Sequence, residues 1–261
     1  MTMTSHRETP APDLRCTAIN CSVGRPLGDP DLDRARRLGL DRIELWWPWT
    51  TPEPSDSQVD ELVEELRRRG LTLIGLNFWG GDTSAGERGV LHEAALSQRH
   101  LDAHARLAEK TGADKFNLLV GRGGRALTDA QRDRIDAVAA SVTGRGLGTV
   151  LIEPSKGAVD YPVQTLADAT ALTGTVPGTA LLADFWHLAG DGGTEGEERT
   201  DAWLDGLAVS GSTPGTLPAH VQIADDPGRG APGTGVLPLR RWVTALRTAG
   251  YSGDIVGEWV W

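Results

Sequence analysis

Residues 42–77 read RIELWWPWTTPEPSDSQVDELVEELRRRGLTLIGLN. Residues 42–47 are a mostly apolar run, and residues 57–69 carry acids at their start and arginines at their end, as helices do. Gly70 then ends the helical pattern, and residues 71–77 form a second apolar run. This stretch therefore predicts a strand, a helix and another strand, the unit from which parallel sheets are built.

The same alternation extends in both directions along the chain. Helices are predicted between the strands, over 29–38, 57–69, 91–111, 128–142, 163–173, 196–208 and 237–248. The predicted strands cover 14–20, 42–47, 71–77, 115–120, 148–153, 179–184, 219–224 and 254–259. Eight strands alternating with seven helices predict an α/β protein, a (β/α)8 TIM barrel forming a single domain over 14–261. An open doubly wound sheet is the alternative, although residues 20–28 lack its glycine-rich phosphate turn.

Both ends of the chain lead to expectations about its surroundings. Because the chain stops at Trp261, soon after the eighth predicted strand, we expect the barrel to lack a full eighth helix. The apolar surface left uncovered predicts that a partner subunit or the N-terminal tail packs there, hence a homo-oligomer, a dimer or a tetramer. Residues 1–13 are polar, without a signal-peptide pattern, and predict a disordered or loosely tethered tail.

Composition disfavours several classes of partner. A net charge of -10 disfavours nucleic acid, whose binding depends on Lys and Arg. No apolar run reaches the roughly 18 residues that a membrane span needs. The only cysteines, Cys16 and Cys21, are too few for a disulfide framework and lie in no zinc-binding pattern, which fits a reducing cytoplasm. We therefore expect a cytoplasmic protein acting on a small molecule.

Polar residues recur where the last four strands are predicted to end. Such residues matter because active sites of TIM barrels lie at the carboxyl ends of the strands. Each is about one strand–helix repeat from the next, so adjacent strands would bring four oxygen ligands to one point. Three carboxylates and an amide oxygen predict a site for a hard divalent cation, Mg²⁺ or Mn²⁺. The four residues are Glu153, Asp184, Gln222 and Glu258.

Residues 220–235, HVQIADDPGRGAPGTG, change abruptly from a strand pattern to a loop rich in glycine and proline. The alternation places Gln222 on one face of the strand and Val221 and Ile223 on the other. Arg229 in this loop, and His187 three residues after Asp184, are candidates for holding a substrate oxygen or carboxylate.

Several of these segments resemble one family of proteins. They are LIEP at 151–154, ADFWH at 183–187, the stretch 220–235 and GEW at 257–259, with IEL at 43–45 and AGERG at 85–89 also similar. Together they resemble the hydroxypyruvate isomerase family, within the xylose-isomerase-like sugar isomerase and epimerase barrels. The resemblance spans roughly residues 14–259.

The resemblance implies roles for individual residues. It makes Glu153, Asp184, Gln222 and Glu258 the metal ligands, with Glu153 and Glu258 doubling as the acid/base pair. His187, Arg229, Glu44 and Glu87 would bind substrate, although Glu44 fits a buried structural carboxylate equally well. The implied reaction interconverts hydroxypyruvate and tartronate semialdehyde through an enediolate, whose charge a cation stabilises.

The chain also departs from that family. Its members usually continue after Glu-Pro with an apolar residue and asparagine, whereas this chain has Ser155, Lys156 and Gly157. Five tryptophans near predicted strand ends would narrow the pocket or stack on a ring: Trp46, Trp47, Trp49, Trp79 and Trp186. A keto-sugar epimerase or isomerase, or a related polyol dehydratase, is therefore the alternative enzyme. A non-catalytic sugar-binding barrel would be marked by loss of a ligand carboxylate, and all four positions are filled.

Overall fold

The computed structural model of the chain describes residues 14–28, 30–190, 194–210 and 216–260. The predicted tail over 1–13 lies outside these residues, as does position 29 of the first predicted helix.

Eight short parallel strands close into a barrel. They are β1 Ala18–Asn20, β2 Arg42–Leu45, β3 Thr72–Asn77, β4 Lys115–Asn117, β5 Thr149–Ile152, β6 Thr179–Asp184, β7 His220–Ile223 and β8 Ile255–Gly257. Each pairs with the next, and β1 closes the ring on β8 through the register pairs Ala18 with Val256 and Ile19 with Gly257. The prediction of a (β/α)8 barrel is confirmed, and the open doubly wound sheet is excluded.

Helices connect the strands on the outside of the barrel. They are α1 Leu32–Arg37, α2 Asp56–Arg69, α3 Gln98–Thr111, α4 Asp129–Gly144, α5 Leu166–Thr173, α6 Phe185–Leu188, α7 Thr194–Ser210 and α8 Leu239–Thr248, with a 3₁₀ turn at Thr83–Ala85. The described residues after β8, 258–260, form no helix, and the expected absence of an eighth helix and what covers that side stay predictions. Among the described helices, none has the length and apolarity that a bilayer crossing requires.

Capping residues explain where the helices begin. The predicted start of the third helix at residue 91 is wrong, because the Ser97 side chain caps the helix by accepting the His100 N–H at 3.1 Å. The fifth helix likewise begins at Leu166 rather than 163, after a capping box formed by Thr165 and Asp168. An apolar pattern therefore overestimates a helix when a cap lies inside it.

The orientation of the β7 side chains confirms the predicted alternation along this strand. Val221 and Ile223 pack outside the barrel in an apolar cluster with Leu239 and Trp242 of α8. Gln222 turns inward, and its Nε2 donates to Oε2 of Glu44 on β2 at 2.8 Å. The interior at this end is therefore polar while the outer face of the strands makes the apolar core.

Candidate active site

Three carboxylates at the ends of the last strands lie close together, and we name them the carboxylate centre: Glu153, Asp184 and Glu258. Glu153 follows β5, Asp184 ends β6 and Glu258 follows β8, each with at most 4% of its surface exposed. Gln222 of β7, also fully buried, lies on the strand between β6 and β8. The structure thus brings the four predicted ligands to one end of the barrel.

The Arg229 guanidinium lies within this centre. Its Nη2 is 2.6 Å from Asp184 Oδ2 and also donates to Glu258 Oε2, while its Nε donates to the Glu258 carbonyl oxygen at 2.9 Å. Arg229 has a φ of 58°, in the left-handed region that non-glycine residues seldom adopt and that clusters at functional sites. A positive charge therefore already bridges two of the carboxylates.

The loop that carries Arg229 is held by a buried aspartate. Asp225 accepts the N–H of Gly233 at 2.8 Å and the N–H of Leu237 at 3.0 Å. It is 1% exposed. This carboxylate fixes the shape of the glycine- and proline-rich loop, so the Arg229 side chain is directed inward rather than left in solvent.

Burial changes the acidity of the centre. It raises the pKa of Glu153 well above its ordinary value, and the nearby charges of Glu258 and Asp184 add to that effect. Burial also raises the pKa of Glu258 to about 7, although the Arg229 charge opposes the shift. The pKa of Asp184 is raised for the same reason, again against Arg229. Carboxyl groups that hold protons near neutral pH are suited to acid/base chemistry.

Neutral side chains orient the two glutamates, and the sequence reasoning missed them. Asn117, at the end of β4, donates to Glu153 Oε2 at 2.7 Å. Glu258 Oε1 accepts from Asn20, at the end of β1, at 3.2 Å and from the Trp46 indole at 2.7 Å. Asn20 ends a predicted strand, the same signal that identified the carboxylates, so it could have been found in the sequence. Asn117 lies inside the predicted strand 115–120 and ends β4 only because the observed strand is shorter.

Glu44 lies beneath Gln222 and is fully enclosed. It accepts hydrogen bonds from Gln222 and binds His220 Nε2 at 2.9 Å, and it is 1% exposed. Room for it comes from Gly75 on β3, where an added Cβ would lie 2.8 Å from Glu44 Cγ and Oε1. These contacts fit the reading of Glu44 as a buried structural carboxylate that orients the Gln222 amide.

His187 meets a hydrogen-bond donor at each of its ring nitrogens. The backbone N–H of Lys156 lies 3.0 Å from Nδ1, and Nη1 of Arg229 lies 3.0 Å from Nε2. Burial, with the charges of Arg229 and Lys156, lowers the pKa of His187 well below its usual value, so the ring is neutral. Its Nε2 also lies 3.5 Å from Glu153 Oε1, so the ring borders the centre.

The donor set fits a divalent cation. Glu153, Asp184 and His187 each offer an atom within 4.8 Å of the others. Gln222 Oε1 is buried and accepts no hydrogen bond within the described part of the chain, so it could serve as an oxygen ligand. With Gln222 and Glu258 beside Glu153 and Asp184 the set would be all oxygen, as Mg²⁺ and Mn²⁺ prefer.

Two other predicted or unusual positions lie around this centre. The Glu87 carboxylate accepts the Asp82 N–H within its own loop, and none of the hydrogen bonds in the described chain joins it to the centre. Lys156, where the family usually differs, donates to the Gly190 carbonyl oxygen at 2.6 Å and lies 3.7 Å above the Trp186 ring. Lys156 therefore packs against the wall of the centre beside His187.

Comparison with protein families gives one match over most of the chain. Residues 32–261 match the family model described as xylose isomerase-like TIM barrel. A Streptomyces coelicolor protein provisionally named a hydroxypyruvate isomerase is 33% identical over 84% of this chain and 80% of its own. The hydroxypyruvate isomerase of Escherichia coli K12 is 26% identical over 87% of this chain and 85% of its own.

Solved structures share the fold at lower identity. An AP endonuclease of family 2 from Brucella melitensis superposes with a TM-score of 0.73 at 22% identity, covering 94% of this chain and 93% of that one. A D-allulose 3-epimerase from Methylomonas sp. gives a TM-score of 0.66 at 16% identity, covering 93% and 84%. At these identities the likeness concerns the barrel itself.

Proposed function

The chain belongs to the hydroxypyruvate isomerase family of xylose isomerase-like TIM barrels, and we propose that it is a metal-dependent isomerase of hydroxypyruvate or a close small hydroxy-carbonyl compound. The observation that carries this proposal is the pair of buried glutamates, Glu153 and Glu258, which lie in one centre and are each held by neutral hydrogen-bond donors. Because β5 and β8 are three strands apart around the ring, the two carboxyl groups approach the centre from different sides.

The proposed reaction moves the carbonyl group between neighbouring carbons by proton transfers. With hydroxypyruvate, one glutamate removes a proton from the hydroxymethyl carbon and leaves an enediolate. The other glutamate delivers a proton to the former carbonyl carbon, and the hydroxyl proton passes to the neighbouring oxygen, giving tartronate semialdehyde. Asn117 orients Glu153, while Asn20 and Trp46 orient Glu258, so both groups are held in place before substrate arrives.

The proposed ligands of the cation are Glu153, Asp184, Gln222 and Glu258, with Mg²⁺ or Mn²⁺ as the ion. When bound, such an ion supplies positive charge that stabilises the enediolate, commonly by several kcal/mol. Glu44 keeps the Gln222 amide turned so that its oxygen is free.

The remaining groups are proposed to bind the substrate. His187 and Arg229, whose Nη1 lies 3.0 Å from His187 Nε2, would hold a substrate carboxylate or hydroxyl at the edge of the centre. Glu87 stays a proposed substrate-binding residue, and its carboxylate accepts the Asp82 N–H of its own loop in this structure. A homo-oligomer and a cytoplasmic location, which suits two free thiols, complete the proposal.

Solvent exchange tests this proposal. The protein is incubated in D₂O with Mg²⁺ or Mn²⁺ and, separately, with hydroxypyruvate, tartronate semialdehyde and keto sugars, and deuterium beside the carbonyl is followed by NMR. We expect metal-dependent exchange that chelation abolishes. Exchange with a keto sugar alone would favour the epimerase alternative. Metal-bound protein that exchanges none of these compounds would contradict the proposal.

A further inference from the structure

The loop that follows β3 carries Arg88, a half-buried arginine to which the proposed mechanism gives no role. Within the described chain its guanidinium makes one hydrogen bond, from Nη1 to the Glu87 carbonyl oxygen at 2.8 Å, and no ion pair. The Arg229 guanidinium, by contrast, binds both Asp184 and Glu258. Arg88 therefore holds a positive charge near the barrel end that no carboxylate among the described residues pairs with.

Backbone contacts hold the Arg88 loop against the segment that follows β4. The N–H of Gly89 donates to the Gly80 carbonyl oxygen at 2.9 Å, and the N–H of Gly121 donates to the Arg88 carbonyl oxygen at 2.8 Å. The two segments lie so close that a Cβ added to Gly89 would be 1.9 Å from the Leu119 carbonyl oxygen. The backbone of Arg88 is therefore fixed at the exit of β4 before any substrate binds.

The charge of Arg88 acts on the side of the carboxylate centre where Glu153 lies. Burial, together with nearby positive charges that include Arg88, lowers the pKa of His187, whose Nε2 is 3.5 Å from Glu153 Oε1. Burial and the charge of Glu153 raise the pKa of Tyr161, and the charge of Arg88 opposes them. The Tyr161 hydroxyl accepts the N–H of Val120, one residue before the segment that binds the Arg88 backbone. Because water and salt screen distant charges, these effects place the guanidinium at the mouth of the barrel rather than in bulk solvent.

The charge balance of the centre specifies which ligand group suits Arg88. Hydroxypyruvate carries a carboxylate, and the centre already contains three, of which Arg229 binds two. A further negative charge in a buried place is unfavourable unless it meets a positive partner of its own. A guanidinium whose N–H groups are mostly unpaired can bind both oxygens of a carboxylate at once. Arg88 is therefore suited to an anionic group of the substrate.

We propose that Arg88 binds the carboxylate of the substrate and makes the site selective for hydroxy-carbonyl acids over uncharged hydroxy-carbonyl compounds of the same size. His187 and Arg229 then hold a substrate hydroxyl. Arg88 is a specificity-determining residue and takes no part in the proton transfers. This inference rests on the proposed function, because it concerns the substrate class of the same centre.

The test compares an acid with its uncharged analogue. Dihydroxyacetone has the carbon skeleton of hydroxypyruvate, with a hydroxymethyl group in place of the carboxylate. Deuterium exchange of both compounds is measured for the wild type, Arg88→Met, Arg88→Lys and Arg125→Met. Arg125 is the control, because it is an exposed arginine of the loop after β4 and donates to Gln164 Oε1 at 3.0 Å.

We expect kcat/KM for hydroxypyruvate to fall by about tenfold or more in Arg88→Met, chiefly through a higher KM, because a charge-assisted bidentate contact is lost. The value for dihydroxyacetone should stay within about twofold, since that compound makes no such contact. Arg88→Lys keeps the charge without the bidentate geometry and should lie between the wild type and Arg88→Met. Arg125→Met should change neither compound. The dissociation constant of glycolate, measured by calorimetry with Mg²⁺ present, should rise in Arg88→Met as the KM does.

Several outcomes would overturn the inference while leaving the proposed function intact. They are an unchanged KM for hydroxypyruvate in Arg88→Met, an equal loss for both compounds, and a matching loss in Arg125→Met. If the wild type exchanges hydroxypyruvate alone, an unaltered glycolate affinity in Arg88→Met overturns the inference. Failure of the proposed function looks different, because no compound would then exchange, and glycolate binding would still test Arg88. Circular dichroism of each variant separates lost binding from lost folding.

Discussion

Strands β5 to β8 deliver three carboxylates and one amide to the mouth of the barrel, whereas β1, β3 and β4 end in Asn20, Asn77 and Asn117. In the charged half, the Arg229 guanidinium pairs with two of the three carboxylates, Asp184 and Glu258. The neutral half contributes amides that hold the glutamates, and the Asn77 amide has no hydrogen-bond partner among the described residues. In the proposed function, the charged half would therefore supply the groups that transfer protons and hold a cation. The neutral half would supply amides that orient the glutamates.

Removing the acid/base groups should have the largest effect. We expect Glu153→Gln and Glu258→Gln each to lower kcat by about 10² to 10⁴, because a positioned general acid or base contributes that much. Steady-state rates with the best substrate from the exchange panel measure this loss. Glu64→Gln on the exposed side of α2 is the control and should keep full activity. Activity retained in both site variants would place the chemistry elsewhere.

Removing Arg229 should reveal how much the charged half depends on a positive charge. Arg229→Met leaves Asp184 and Glu258 buried beside one another without a counter-charge, which costs about 3–5 kcal/mol of stability. Urea unfolding in chelator should show this loss, and added Mg²⁺ or Mn²⁺ should restore most of it. A variant as stable as the wild type in chelator would contradict the electrostatic role of Arg229.

The two sides of the barrel should respond to pH in opposite directions. Burial lowers the pKa of His100, which packs against Trp47, to about 4 from 6.5. The unfolded chain then binds the proton first, so about 3 kcal/mol of stability is lost as pH falls from 6.5 to 4. Burial raises the pKa of Glu258 to about 7 from 4.5, so the folded state keeps the Glu258 proton to a higher pH than the unfolded chain does. Stability from this group is lost as pH rises from 4.5 to 7.

Unfolding in chelator across this pH range separates the two contributions. His100→Gln should remove part of the loss on the acid side, and Glu258→Gln part of the loss on the neutral side. If neither variant alters its part of the pH dependence, these two groups do not link stability to pH.

The two halves meet at Glu44, and the smallest effect is expected there. Gly75→Ala would place a Cβ 2.8 Å from the Glu44 side chain, and such overpacking typically costs about 1–3 kcal/mol. The displaced Glu44 should also release Gln222 and weaken binding of Mn²⁺ in calorimetry. Gly206→Ala, on the exposed side of α7 with nothing within 4 Å, should stabilise slightly. Equal melting temperatures for Gly75→Ala and Gly206→Ala would mean that the Glu44 side chain can shift away from the added Cβ without loss of stability.

Alternating patterns in the chain predicted the fold and the four proposed ligands, because strands of one barrel repeat at regular spacing and end at one edge. Such patterns do not predict which side chains of different strands contact one another. That Asn117 holds Glu153 depends on the register of β4 with β5, and the position of the His187 ring depends on its contacts with Lys156 and Arg229. The Arg229 side chain points into the barrel because the residue has a positive φ. The glycines and prolines of the loop predict a turn there but not the φ of Arg229.

The most direct test of the charged half is a crystal structure with Mn²⁺, located by its anomalous scattering. We predict one peak bound by oxygens of Glu153, Asp184, Gln222 and Glu258, with the Arg229 guanidinium withdrawn from Asp184, because the ion and the guanidinium compete for the same oxygens. No peak at this centre at saturating Mn²⁺, with Arg229 still bridging Asp184 and Glu258, would contradict the account.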